Sequence, residues 1–350
     1  MPVYAGCRAL LGAAVLWGLL ACRGPAAPPA GSAAPGAGPA PAGAAGPAAS
    51  PVAPEVVRIA MPTIDLSNLP FAAGLWQGYF REEGLEIELI RIGGQAALPA
   101  LLNGEVSYLF GWGAASGGIV QGVPMKVLAI LLDRPLHVVV VQPWVSGIAD
   151  LRGRRVGVSR AGSSDELLIE RALQTAGLRL DDVELVRLGE TSARFGALAA
   201  GQVDAATLIQ PYTAEAEKQG LQVLARGSDL LQLPIGIIAT TQAHLDARPE
   251  QGRRLLRATA RSLAYLHAPA NRAELIQRAT EYFQLDPALA PLLVEETLRT
   301  VTPDGEAPEA VLAAALDEAR AQAGRRDPIP LHEVVDFALL RQARQEVGGP

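Results

Sequence analysis

The stretch VRIAMPTIDLSNLPFAAGLWQGYFREEGLEIELIRIGGQAALPALLNGEVSYLFGWGAA, residues 57–115, decides the fold. It opens with a short apolar run (Val57–Met61), the pattern of a buried strand. An apolar face at helical spacing follows over Leu69–Glu83, and then the alternating segment LEIELI at Leu85–Ile90. A helix over Gln95–Asn103 is closed by Gly104, and Val106–Phe110 is again strand-like. Strand, helix and strand in regular succession predict βαβ units and a mostly parallel sheet covered on both faces. A short helix (Ala114–Gln121) and a strand (Lys126–Leu132) extend the pattern, and a continuous apolar strand over 136–142 stops at Pro143.

The rhythm then restarts. Strands are expected at 154–158, Val183–Leu188, Ala205–Ile209 and Leu221–Ala225. Helices at Ser164–Ala176, Ser192–Ala200 and Tyr212–Gln219 each end at a glycine, the usual stop signal. GIIATT at 236–241 reads as a return strand. From Pro249 onward the chain is amphipathic helix, broken near Pro269, Pro287, Pro303 and Pro328. Two α/β units in series predict two lobes: 56–142 plus 236–350 as the first, and 143–235 inserted as the second. A hinge is expected near Gln142–Ser146 and Leu233–Gly236. Open α/β sheets take ligands at the carboxyl ends of their strands, so the cleft between the lobes is the expected site.

The N-terminal region sets the address. An apolar stretch, ALLGAAVLWGLLA, follows Arg8, which is too short to span a bilayer and reads as an export signal. Its end, Leu19-Leu20-Ala21-Cys22, resembles the bacterial lipobox, which implies cleavage after residue 21 and lipidation of Cys22. Residues 22–54 are almost wholly Ala, Pro, Gly and Ser, a composition that cannot bury enough surface to order itself, so a disordered tether is expected. The expected location is extracytoplasmic, with the lipid anchor as the only membrane contact.

The two cysteines, Cys7 and Cys22, both precede the globular part, so neither a disulfide nor thiol chemistry is expected there. A formal charge of −6 argues against a nucleic-acid partner. His137, His244, His267 and His332 have no ligand spacing, and no metal or other cofactor is expected. Phosphate-loop, Rossmann and nucleophile-elbow motifs are missing from the sequence.

Residues 57–115, together with ADLRGRRVGVSRAGSSDELLIERALQTAGL and ALAAGQVDAATLIQP, resemble the SsuA/THI5-like (NMT1-like) substrate-binding proteins of ABC transporters, the nitrate, sulfonate, taurine and thiamine-precursor group. The resemblance implies a type II periplasmic-binding-protein fold, a small-molecule ligand, delivery to permease transmembrane subunits, a monomer, and no catalysis. Enzymes of pyrimidine-precursor or menaquinone-pathway type on the same scaffold, or a binding subunit of a sensory system, are the alternatives.

Candidate ligand-binding residues lie in loops between a strand and a helix, where free N–H groups and small polar side chains gather. They are Thr63, Asp65, Ser67 and Asn68; Gly94 and Gln95; Trp112, Gly113 and Ser116. In the second lobe they are Arg160, Gly162, Ser163, Ser164 and Asp165; Thr191 and Arg194; Gln210 and Tyr212. Arg160 and Arg194 are candidates to clamp an anion, Asp65 and Asp165 to meet an amine. Trp112 and Tyr212 are candidates for the wall of a planar ligand.

Overall fold

A computed structural model describes residues 54–93, 96–159 and 163–348. Ten strands form two five-stranded sheets. The first contains β1 (Glu55–Met61), β2 (Leu85–Arg91), β3 (Tyr108–Phe110), β4 (Met125–Leu132) and β10 (Gly236–Thr241) in the order β2-β1-β3-β10-β4. The second contains β5 (Val138–Val141), β6 (Arg155–Val158), β7 (Glu184–Arg187), β8 (Ala205–Leu208) and β9 (Gln222–Arg226) in the order β7-β6-β8-β5-β9. The expected signal (1–21) and Cys22 lie outside the described residues, as does the expected tether up to residue 53.

Both sheets are mixed rather than wholly parallel. In the first, β1 pairs parallel with β2 and β3, while β10 runs antiparallel between β3 and β4. In the second, β6 pairs parallel with β7 and β8, and β5 runs antiparallel between β8 and β9. Each sheet therefore holds one reversed strand, and it is the strand that has just crossed from the other sheet. The stretch 136–142, expected to close the first lobe, is thus part of the second sheet. Its four valines are buried on both faces in the slot between β8 and β9. The crossovers are accordingly the short links between β4 and β5 and between Leu230 and β10. Gln142–Ser146 lies beyond β5, within the second lobe.

Side chains alternate between faces as the pleat requires. Val139 and Val141 enter one core cluster of the second lobe and Val138 and Val140 the other. In the first lobe, Val57, Ile59 and Met61 pack with the helix Pro249–His267, while Ala60 joins Leu109 and Ile130 on the opposite face. The expected helix Leu69–Glu83 is divided into Leu69–Trp76 and Tyr79–Glu82, because Gly78 takes φ 78° and turns the chain there. The C-terminal helices belong to the first lobe. Arg257 bridges Glu83 (2.7 Å) and Glu346 (3.0 Å), and Glu55 at the start of β1 pairs with Arg248 (2.8 Å) and Arg254. No helix among the described residues is long and apolar enough to cross a membrane.

The crossovers run side by side and are bonded to each other. Leu233 N–H donates to Asp133 O (2.7 Å), and Ile235 N–H to Leu132 O (2.9 Å). At the second lobe, Gly227 N–H donates to His137 O (2.8 Å) and Arg134 Nη1 to Ser228 O (2.7 Å). A Cβ on Gly227 would stand 2.7 Å from His137 O and 2.8 Å from Pro135 Cγ, with rigid backbone on one side and a ring on the other. Gly227→Ala is expected to destabilise the protein by roughly 1–3 kcal/mol through overpacking, lowering Tm by several degrees. A melting curve identical to wild type would show that the crossover gives way freely.

Candidate functional site

The parallel strands of each sheet end on the side from which the crossovers depart, so the loops of both lobes gather around the crossover ribbon. A cavity of about 650 Å³ opens there. The loop after β1 supplies Ile64, Asp65 and Leu66, and the first crossover supplies Leu136 as it leads into Val138. The second lobe supplies Ile209, Gln210 and Pro211 after β8, then Thr213 and Glu215 from the helix Tyr212–Lys218. The helical C-terminal region closes the remaining wall with Tyr282, Phe283 and Asp286, then Leu293, Glu296 and Thr297. The volume lies within the range of small-molecule sites, and the lining joins an apolar body to a few polar groups.

Among the residues expected from sequence, Asp65 and Gln210 line this cavity. Asp65 is held by a reciprocal cap: its Oδ1 accepts from Ser67 N (2.9 Å) and Ser67 Oγ (2.6 Å), while its own N–H donates to Asn68 Oδ1 (2.9 Å). Asn68 is buried, and its Nδ2 has no hydrogen-bond partner among the described residues. Thr63 is exposed in the same loop. Gln210 Oε1 accepts from Ala214 N (3.2 Å) and so caps the helix that carries Thr213.

A second group is consumed within the second lobe. Asp165 is 1% exposed and accepts from Ser159 N (2.8 Å), Ser159 Oγ (2.6 Å) and Thr207 Oγ1 (2.8 Å). Burial pushes its carboxyl up, but hydrogen bonds from Ser159, Ser163 and Thr207 and the charge of His137 outweigh burial and hold it well below the usual range. Arg194 is 2% exposed, and its guanidinium donates to Thr207 O (2.7 Å), Gly189 O and Thr191 Oγ1 (3.0 Å). These groups tie the ends of β6, β7 and β8 together. Ser163 Oγ caps the helix Ser164–Thr175 by accepting from Glu166 N (3.4 Å), the role open to Asp165 in the sequence; Ser164 is that helix's first residue.

The aromatic candidates stand elsewhere. Tyr212 packs on Phe195 (centroids 5.6 Å apart) against the second lobe's core, and Trp112 packs on a core cluster of the first. Gly113 borders a separate, mainly apolar cavity of about 790 Å³ in the first lobe, and Ser116 Oγ donates to Gly113 O (3.3 Å). Gly94, Gln95, Arg160 and Gly162 lie outside the described residues.

Sequence reasoning missed the aromatic wall that is present, Tyr282 and Phe283. Tyr282 meets Trp76 edge to face (5.9 Å) and Phe283 (4.9 Å), so the wall is braced from the first lobe's core. Its signal was the pair of rings directly before Gln284, whose φ of 52° ends the helix Arg272–Phe283. His137, one of the four histidines without ligand spacing, is not among the described residues that line the cavity. It sits on the first crossover, and burial pushes its imidazole down to about 4, opposed by the Asp165 charge and reinforced by Arg194.

The folded value of His137 lies below its unfolded one, so the unfolded chain takes up this proton first. Its contribution to stability is complete above about pH 6.5 and is lost as pH falls towards about 4. His137→Gln is expected to flatten the dependence of Tm on pH across that window. Parallel profiles for variant and wild type would show that the ring is solvated and titrates normally.

The family model described as NMT1/THI5 like matches residues 67–273. A Haemophilus influenzae protein named for thiamine biosynthesis is 34% identical over 136 residues, 37% of this chain and 41% of that protein. An Escherichia coli protein named for binding aliphatic sulfonates is 33% identical over 149 residues, 42% of each chain. The matched region thus spans less than half the length of these two curated relatives. Among solved structures, a periplasmic sulfonate-binding protein SsuA from Methylobacillus flagellatus KT superposes with TM-score 0.67 at 16% identity, over 85% of this chain and 96% of that one, a likeness of fold.

Proposed function

Because the chain belongs to the NMT1/THI5-like family, we propose that it is the extracytoplasmic solute-binding component of an ABC importer. It takes a small molecule into the cavity between its lobes and delivers it to the transmembrane subunits of a permease. The observation that carries this reading is the cavity itself: its lining comes from both lobes, from one of the crossovers and from the C-terminal helices. A solute seated there makes contacts that the empty protein lacks, and a lobe rotation about two short crossovers would add more. The named relatives point to thiamine-related compounds and to sulfonates as the classes to try first. The part played by the chain is binding and not catalysis.

The same reading places the protein outside the cytoplasm, acting as a monomer and held at the membrane by a lipid on Cys22 with residues 22–54 as its tether. Incorporation of labelled palmitate into the full-length protein is expected in its bacterial host and should vanish in Cys22→Ala. Equal labelling of both would refute the anchor.

A thermal-shift screen with sulfonates, taurine, nitrate and aminopyrimidines tests the binding role. A ligand at a hundred times its Kd should add about 2.7 kcal/mol, a rise in Tm of a few degrees. A cooperative melt that no member of any solute class displaces would contradict it.

A further inference from the structure

We propose that the cleft selects organic cations, solutes with a planar or apolar body and a protonated amine, over sulfonates and other anions. The inference rests on the solute-binding reading and adds the chemical class. Four carboxylates, Asp65, Glu215, Asp286 and Glu296, line the cavity, and no Lys or Arg does so among the described residues. They come from all sides: one from the first lobe's loop, one from the second lobe, two from the C-terminal helical region. Glu215 and Glu296 bring counter-ions from outside the lining, Lys218 (2.8 Å) and Arg226 (2.9 Å). Among the described residues neither Asp65 nor Asp286 forms a direct ion pair, although Lys218 stands near enough to Asp286 for the two charges to interact; their hydrogen bonds come from the Ser67 N–H and hydroxyl and from Ala288 N–H. Their negative charge is therefore offered to the cavity.

A second, independent feature marks the same wall as a polar contact point. Thr213 lines the cavity, is 2% exposed, and its Oγ1 has no hydrogen-bond partner among the described residues. A buried hydroxyl left unpaired is costly; its oxygen is closed to solvent in this structure, so a ligand N–H would satisfy it where binding opens the wall around it. Tyr282 and Phe283 line the same cavity, and aromatic rings favour a flat body and, through a π face, a cation. Among the described lining residues an anion meets no cationic side chain. Arg194, the described arginine expected to clamp one, has its guanidinium committed to Thr207 O, Gly189 O and Thr191 Oγ1.

Calorimetric titration of the full chain with matched pairs tests the class: tryptamine against indole-3-propionate, and benzylamine against benzenesulfonate. The amines are expected to bind at least ten-fold more tightly than their anionic partners. Asp286→Asn, an exposed and structurally mild change, should weaken tryptamine five-fold or more and leave the anions no worse. Thr213→Val should weaken the amine while Tm is retained. Tighter binding of the anions would overturn the cation preference and leave the solute-binding role standing. No heat from either member of either pair, with the protein melting cooperatively, would overturn both.

Discussion

Each sheet is completed by a strand delivered from the other lobe, and the rest of the structure depends on that exchange. β5 lies between β8 and β9, where all four valines are covered and both edges find partners. β10 is held in the same way between β3 and β4. Full burial of a valine side chain contributes roughly 1.5 kcal/mol or more, so moving either strand out of its sheet is prohibitive. Motion between the lobes must then be absorbed by the two short links, where Gly227 stands against His137 O without room for a methyl group. The reversed strands also put both crossovers at the carboxyl ends of the parallel strands. Strand-end loops of both lobes therefore face one cavity.

Within that frame, charge is divided between scaffold and site. In the second lobe, Asp165 and Arg194 are deeply buried, and their hydrogen-bonding capacity goes to Ser159, Thr207, Gly189 and Thr191. Buried charges are tolerated when they are hydrogen-bonded in this way, and removing one partner leaves the other exposed to the full desolvation cost. Around the cavity the carboxylates keep solvent access. Fixed charges set the loop geometry, and the accessible ones are left free of that task.

The strand order along the chain was legible in the sequence because buried strands between glycine-terminated helices carry a strong local signal. The reversal of β5 was not. A run of four valines announces burial on both faces but says nothing about direction or about which sheet will receive it. The same limit explains the site residues. Asp65 and Gln210 could be placed because strand ends point to the cleft. Asp165 and Arg194 share that sequence context, yet tertiary partners forty residues away turned Asp165 inward onto Thr207. Tyr282 and Phe283 lie in a helical region with no motif, and only the packing of that region against Trp76 brings them to the cavity.

The interlobe distance tests the account most directly. Both native cysteines precede residue 54, so a chain lacking Cys7 and Cys22 can be spin-labelled at Arg81 in the first lobe and Arg179 in the second, both exposed. Pulsed electron–electron resonance on that pair, without ligand and at saturation with the tightest-binding solute, should give a distribution that narrows and shifts as the lobes close. An identical distribution in the two states would mean that the lobes do not move about the crossovers, and the cleft would have to be read as a rigid surface instead of a closing site.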